Sequence, residues 1–279
     1  MAVVALVPHR ARPAAAELAG QAIVWLEGRG HKVRVPEPDA LAPELAARAW
    51  PEAELAAGLD LAVSLGGDGT MLRTVDLLGS TGVPVLGVNV GHLGYLAAVE
   101  PEAALEALRR FFAGEFTIEA RMTLAVELAG RTCHALNEAV LEKTASGHTV
   151  RVRVVVNDDE FLTCSADGLI VATPTGSTAY NLSARGPIVS PAHRALVVTP
   201  VSPHMLFDRS LVLGPDETVR LVVLGTRPAS LTVDGNDLGR LAPGDEVVCR
   251  AGAHDAAFVA FGRRDFHQVL KAKFRLADA

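Results

Sequence analysis

Residues 59–78 read LDLAVSLGGDGTMLRTVDLL: an apolar run, 59–65, meets the turn Gly66-Gly67-Asp68-Gly69-Thr70, and a helix-like run begins at Met71. A glycine-rich turn between a strand and a helix is a common construction for a phosphate site. The backbone there approaches an anion closely, and the first helical amides present the positive end of the helix dipole. Asp68 does not belong in such a cradle. A bare carboxylate repels phosphate, so it either holds a cation that bridges to the phosphates or removes a proton from an attacking hydroxyl; both roles belong to phosphoryl transfer. Two commoner phosphate motifs fail. No Gly-Lys-Ser/Thr occurs, which excludes a P-loop, and a dinucleotide fingerprint counted from Gly67 puts Leu72 where its third glycine is required.

Working outward from the turn, β-like runs at 3–7, 33–35, 59–65 and 83–90 alternate with helix-like runs at 14–27, 44–57, 71–78 and 102–112. This alternation predicts an α/β domain over residues 1–118, a Rossmann-like parallel sheet with helices on both faces. Gly30, Gly58 and Gly114 fall where helices should stop, and Pro13, Pro43 and Pro101 fall near where they should start. Beyond this region, β-type runs at 149–155, 196–201, 219–224, 231–233 and 257–261 predict a mostly β domain of packed sheets over 119–262. In the first of these runs Arg151 and Arg153 alternate with Val150, Val152 and Val154, and the turn Asn157-Asp158-Asp159 follows. Residues 266–274 look helical, and the segment 263–279 is expected to return to the first domain.

The 279 residues are 49% hydrophobic and 21% charged, which suits a soluble chain with two cores. A net charge of -6 without a Lys/Arg-rich run argues against nucleic acid as a partner. Cys133, Cys164 and Cys249 are odd in number and widely spaced, so neither a disulfide framework nor a zinc site is indicated, and a reducing cytoplasm is expected. The start, MAVVALVPHR, reads as a strand and not as a signal peptide, and no apolar run reaches the 18 residues of a membrane span.

Two other constellations carry polar chemistry. Asn137-Glu138 interrupts the β-like run 133–141; at a strand end or bulge, an amide beside a carboxylate can grip both hydroxyls of a ribose. The run DGLIVATPTGSTAYNLS, 167–183, ends an apolar strand in hydroxyls and a tight turn, followed by Tyr180, which can stack on a base or hydrogen-bond through its hydroxyl.

Together, Gly66 to Thr70, Asn137-Glu138, the run 167–183 and Asp234-Gly235-Asn236 resemble, in order and spacing, the motifs of the NAD kinase family, and the likeness spans nearly the whole chain. The resemblance implies transfer of a phosphoryl group from ATP or polyphosphate to the 2'-hydroxyl of the adenosine ribose of NAD, giving NADP. It implies a divalent cation such as Mg2+ held mainly by substrate phosphates, with no dedicated protein ligand set, and assembly into dimers or tetramers. By the same resemblance Asp68 is the general base, Gly69 the glycine of close approach, and Arg73 lies near the dinucleotide. Asn137 and Glu138 contact the adenosine part. Asp167 is an acidic NAD contact presented to a neighbouring subunit. Thr178, Ala179, Tyr180, Asn181, Leu182 and Ser183 belong to the adenine-side pocket, and His148 and Asn236 touch the ligand. Two positions depart from the family pattern: Arg185 stands where a glycine is frequent, and Ser165 where a basic residue is common. The Gly-Gly-Asp-Gly turn also resembles that of diacylglycerol kinases and phosphofructokinases, which lack the Thr-Pro-Thr-Gly-Ser-Thr-Ala-Tyr run. A nucleotide-binding sensor without turnover is the non-enzymatic alternative.

Overall fold

A computed structural model describes residues 1–91, 94–97, 99–262 and 266–276. Residues 263–265 and 277–279 of the expected C-terminal segment lie outside the described residues. The chain divides into two compact units, residues 1–120 with 256–279, and residues 121–255. Among the described residues no helix is long and apolar enough to cross a membrane.

The first unit runs β1 (Val3–Pro8), α1 (Pro13–Glu27), β2 (Lys32–Pro36), α2 (Pro43–Ala46), β3 (Ala49–Trp50), β4 (Leu61–Gly66), α3 (Asp68–Leu78), β5 (Val85–Asn89), α4 (Ala104–Phe112) and β6 (Thr117–Arg121). Its described strands form one sheet in the order β3-β2-β1-β4-β5, followed by the late strand Ala256–Ala260 and then β6. The pairs β1–β2, β1–β4 and β4–β5 are parallel. Strand β4 is buried at every position, as an apolar run covered on both faces must be. Period-two alternation sorts the two faces. Leu86 and Val88 of β5 join Leu18, Ala22 and Leu26 of α1 and Leu108 of α4 in one core. Between them Gly87 looks the other way, where an added Cβ would lie 2.5 Å from Cε of Met71 on α3. Crossovers from β1 leftward through α1 and from β4 rightward through α3 land on opposite faces because both are right-handed.

The second unit continues with β7 (Leu124–Leu128), β8 (Arg131–Ala135), β9 (Glu138–Lys143), β10 (Val150–Val156), β11 (Asp159–Ala166), β12 (Gly168–Ala172), α5 (Tyr180–Ser183), β13 (Leu196–Val201), β14 (Leu211–Leu213), β15 (Val219–Leu224), β16 (Ala229–Val233), β17 (Asn236–Leu241) and β18 (Glu246–Ala251). Two sheets of described strands result, β11-β10-β15-β18-β7-β8 and β14-β13-β12-β9-β16-β17. Val150, Val152 and Val154 face a shared core with Leu141, Leu169, Val171 and Leu231, while Arg151 is exposed. Ile170, Val140 and Val197 form a smaller cluster on the other side of the second sheet. That sheet is therefore apolar on both faces, and β12 is buried throughout.

The chain then returns to the first unit as β19 (Ala256–Ala260), parallel to β5, and α6 (Phe266–Phe274). This corrects two sequence expectations. The second domain, drawn to residue 262, closes at 255, and the run 257–261 belongs to the first sheet. The helix expected over 44–57 is instead α2, β3 and a turn of 3-10 helix at Glu52–Glu54. Pro51 is the reason: its ring opposes helical geometry in the residue before it and it has no N–H to donate.

Candidate active site

In an open parallel sheet, ligands bind beyond the carboxyl ends of the strands, where successive crossovers depart in opposite directions. Here that point lies between β1 and β4, and a pocket of about 520 Å³ occupies it. Pro8, His9, Arg10, Ala11 and Arg12 after β1 line one side; Gly67, Asp68, Gly69, Thr70 and Arg73 after β4 line the other, with Gly94 and Lys273 completing it. Gly67 is the N-cap of α3 and has no side-chain cap, while its carbonyl accepts the amides of Thr70 and Met71 at 3.1 Å each. The first amides of the helix consequently face the pocket.

The glycines of the turn do different things. An added Cβ at Gly66 would lie 2.2 Å from Thr70 Oγ1, so this position closes the turn, whereas at Gly67 and Gly69 it would meet open space. Asp68, the first residue of α3, is clamped: Tyr95 N donates to Oδ2 at 2.8 Å and Leu96 N to Oδ1 at 3.0 Å. Burial, and then the charge of Asp68, push the Tyr95 phenol up. Of the cations, Arg73 binds Asp39 at 3.0 Å and Glu52, and Arg10 binds Asp39 as well. Arg73 thus lies at the pocket as expected, with its guanidinium engaged by carboxylates. Arg12 donates to the carbonyl of Val90. Among the described residues no group of three or more His, Cys, Asp or Glu side chains could hold a metal ion.

In the second unit, Asn137 and Glu138 stand at a strand end, in the break between β8 and β9. Asp234 builds this corner. It opens the two-residue Asp-Gly turn of the β16–β17 hairpin with positive φ at both positions, 47° and 79°. Its carboxylate accepts the amides of Leu136 at 2.6 Å, Asn137 at 2.9 Å and Glu138 at 3.0 Å. The turn after β12 docks onto the same backbone: Thr173 Oγ1 donates to Leu136 O at 2.6 Å, and an added Cβ at Gly176 would lie 2.1 Å from Asn137 O. Asn137 and Glu138 are 9% and 8% exposed. Glu138 accepts the amide of Tyr180, and its Oε2 is buried without a hydrogen-bond partner among the described residues. Its carboxyl is pushed up to about 8, first by burial and then by the charge of Asp234.

Tyr180 is 38% exposed and donates to Glu142; burial, that bond and the charges of Glu142 and Asp167 push its phenol up to about 12. Asp167 forms an ion pair with Lys143 at 2.6 Å, within its own chain. Thr178, Ala179 and Leu182 are half-buried, and Ser183, His148 and Asn236 are exposed. Asn181 is placed differently from expectation. It is fully buried, its Nδ2 donates to Ser177 O and Pro187 O, and its Oδ1 accepts from Thr199 Oγ1, so its amide is consumed in bracing the loop. Asp234 belongs to one of the sequence motifs, but its bracing of the 136–138 backbone is not foreseen there; sequence reasoning missed Tyr95, Arg12 and Lys273, which act from segments distant in sequence.

Family models match both parts of the chain. The family model of the ATP-NAD kinase N-terminal domain matches residues 4–116, and that of the ATP-NAD kinase C-terminal domain matches residues 136–261. The NAD kinase of Heliobacterium modesticaldum is 41% identical, with 99% of each chain covered. That of Symbiobacterium thermophilum is 39% identical, covering 96% of this chain and 97% of the relative. The crystal structure of yeast NADH kinase complexed with NADH superposes with a TM-score of 0.89 at 26% identity, over 100% of this chain and 89% of that one. An NAD kinase from Archaeoglobus fulgidus in complex with ATP shares the fold, with a TM-score of 0.78 at 23% identity over 99% and 100% of the two chains.

Proposed function

The chain belongs to the NAD kinase family, and on that premise we propose that it transfers the γ-phosphoryl group of ATP to the 2'-hydroxyl of the adenosine ribose of NAD, with Asp68 as the general base. The observation that carries this reading is a carboxylate fixed by two main-chain amides inside a glycine-lined, cation-lined pocket at a helix N-terminus. A bond forms between the 2'-oxygen and the γ-phosphorus, the bond to the β–γ bridging oxygen breaks, ADP leaves, and the hydroxyl proton passes to Asp68. An alcohol parts with that proton only as the transition state is reached, so such a base contributes about 10²–10⁴ in rate. The amides at the start of α3 stabilise phosphate charge by about 0.3–1 kcal/mol, rising to about 2 where solvent is partly excluded. Glu138 and Asn137, held by Asp234, supply buried acceptors for the ribose of NAD.

Mg2+ can be held mainly by substrate phosphates and water, which leaves Asp68, the carboxylate lining the pocket among the described residues, to act as the base. Bound there mainly by phosphates, the ion would neutralise donor charge. Inorganic polyphosphate offers the same chain of phosphates and is the alternative donor. We place the reaction in a dimer or tetramer in which Asp167 approaches a neighbouring subunit's ligand. Sedimentation with and without NAD tests this, because association must then tighten with ligand. The activity itself is tested by NADP formation from NAD, ATP and Mg2+; phosphorylation of a glycerolipid or sugar in place of NAD would overturn the assignment.

A further inference from the structure

Helix α6 brings Lys273 to the glycine pocket from the far end of the chain. We propose that Lys273 binds the phosphate chain of the phosphoryl donor, so that α6 supplies part of the donor site; this rests on the kinase reading above. Its Nζ lies 4.7 Å from the ring centroid of Tyr95, and the amide of Tyr95 holds Asp68. Ammonium, ring and base are therefore positioned through one short segment. A donor brings several negative charges into a pocket that already contains Asp68. Two of the arginines there, Arg10 and Arg73, already serve Asp39 and Glu52. A lysine suits a chain of phosphates, since its compact charge swings on a four-carbon stem and offers three donors in any direction. Contact with an aromatic face is weak when solvent reaches it, and a phosphate oxygen offers a stronger, charge-assisted bond. The ring lies beside the ammonium at the pocket wall, where an arriving phosphate oxygen can bind it.

The test is steady-state kinetics of K273M and K273R in the full chain, together with chemical footprinting of the unaltered protein. K273M should raise KM for ATP at least tenfold and change KM for NAD less than twofold, and K273R should recover most of the loss. An unchanged KM for ATP, or a loss that falls on NAD, overturns the proposal. Footprinting keeps it falsifiable should K273M fold poorly. Inorganic tripolyphosphate should slow acylation of Lys273 by an amine-reactive ester at least fivefold while adenosine does not, and equal labelling with and without tripolyphosphate overturns it. The footprint reads phosphate binding alone, so it is distinguishable from a failure of the unaltered protein to make NADP.

Discussion

Asp68 accepts a main-chain amide on each oxygen, which makes its replacement informative in two ways. In Asp68→Asn one acceptor becomes an NH2 group facing an N–H donor, and an unpaired donor costs about 1–3 kcal/mol. The expected result is a lower melting temperature together with a kcat reduced about 10²-fold or more when assayed well below that temperature. Turnover within a few-fold of the unaltered enzyme would remove Asp68 from the base role. Glu138 makes a pH prediction. Its carboxyl titrates near 8 in the folded protein against an ordinary 4.5, so between those values the native state binds more protons than the unfolded chain, and stability falls as pH rises through that window. Glu138→Gln, having no charge to desolvate, should gain on the unaltered protein as pH rises from about 5 to 8, by at most about 1.4 kcal/mol per pH unit. Parallel melting curves across that range would refute it. Arg185 shows how a single residue's oddity is legible. Expected from the family resemblance to replace a glycine, it has a φ of 65°, with Arg185 N bonded to Leu182 O and Gly186 N to Asn181 O in the Schellman pattern that usually ends on glycine.

Among the elements, the β4–α3 turn separates structural from ligand-facing glycines. Gly66→Ala should destabilise the protein by about 1–3 kcal/mol, because its methyl group collides with Thr70. Gly67→Ala, with open space and a φ of -94°, should melt within about 0.5 kcal/mol of the parent while KM for ATP rises tenfold or more. Normal kinetics in Gly67→Ala would mean that no phosphate approaches this backbone; thermal melts and donor titrations on both variants decide. This turn was readable because everything it needs is local: an apolar strand, three glycines and a helix start. The same holds for β1, α1, β5 and β12. Reading failed where tertiary context decides. Residues 44–57 carry helix formers on both sides of Pro51, and the proline divides them. The corner holding Glu138 depends on Asp234, about a hundred residues away. A strand such as β19 carries an apolar pattern, but nothing in five residues says which sheet will pair with it.

At the scale of the whole molecule, β19 lies between β5 and β6, in the interior of the first sheet. A fragment of residues 1–120 therefore lacks an internal strand as well as α6, whereas residues 121–255 contain both sheets of the second unit complete. Expressed separately, the second fragment should melt cooperatively with dispersed NMR signals. The first should aggregate or bind a hydrophobic dye. Cooperative unfolding of residues 1–120 alone would show that β19 is dispensable. The same return of the chain imposes an order on synthesis. Residues 121–255 must leave the ribosome before β19 can, and at about 5–20 residues per second that takes on the order of ten seconds. Throughout that interval the nascent first sheet presents unpaired edges at β5 and β6, so the half of the protein made first is the half finished last, and a chaperone that shields strand edges has its longest opportunity there.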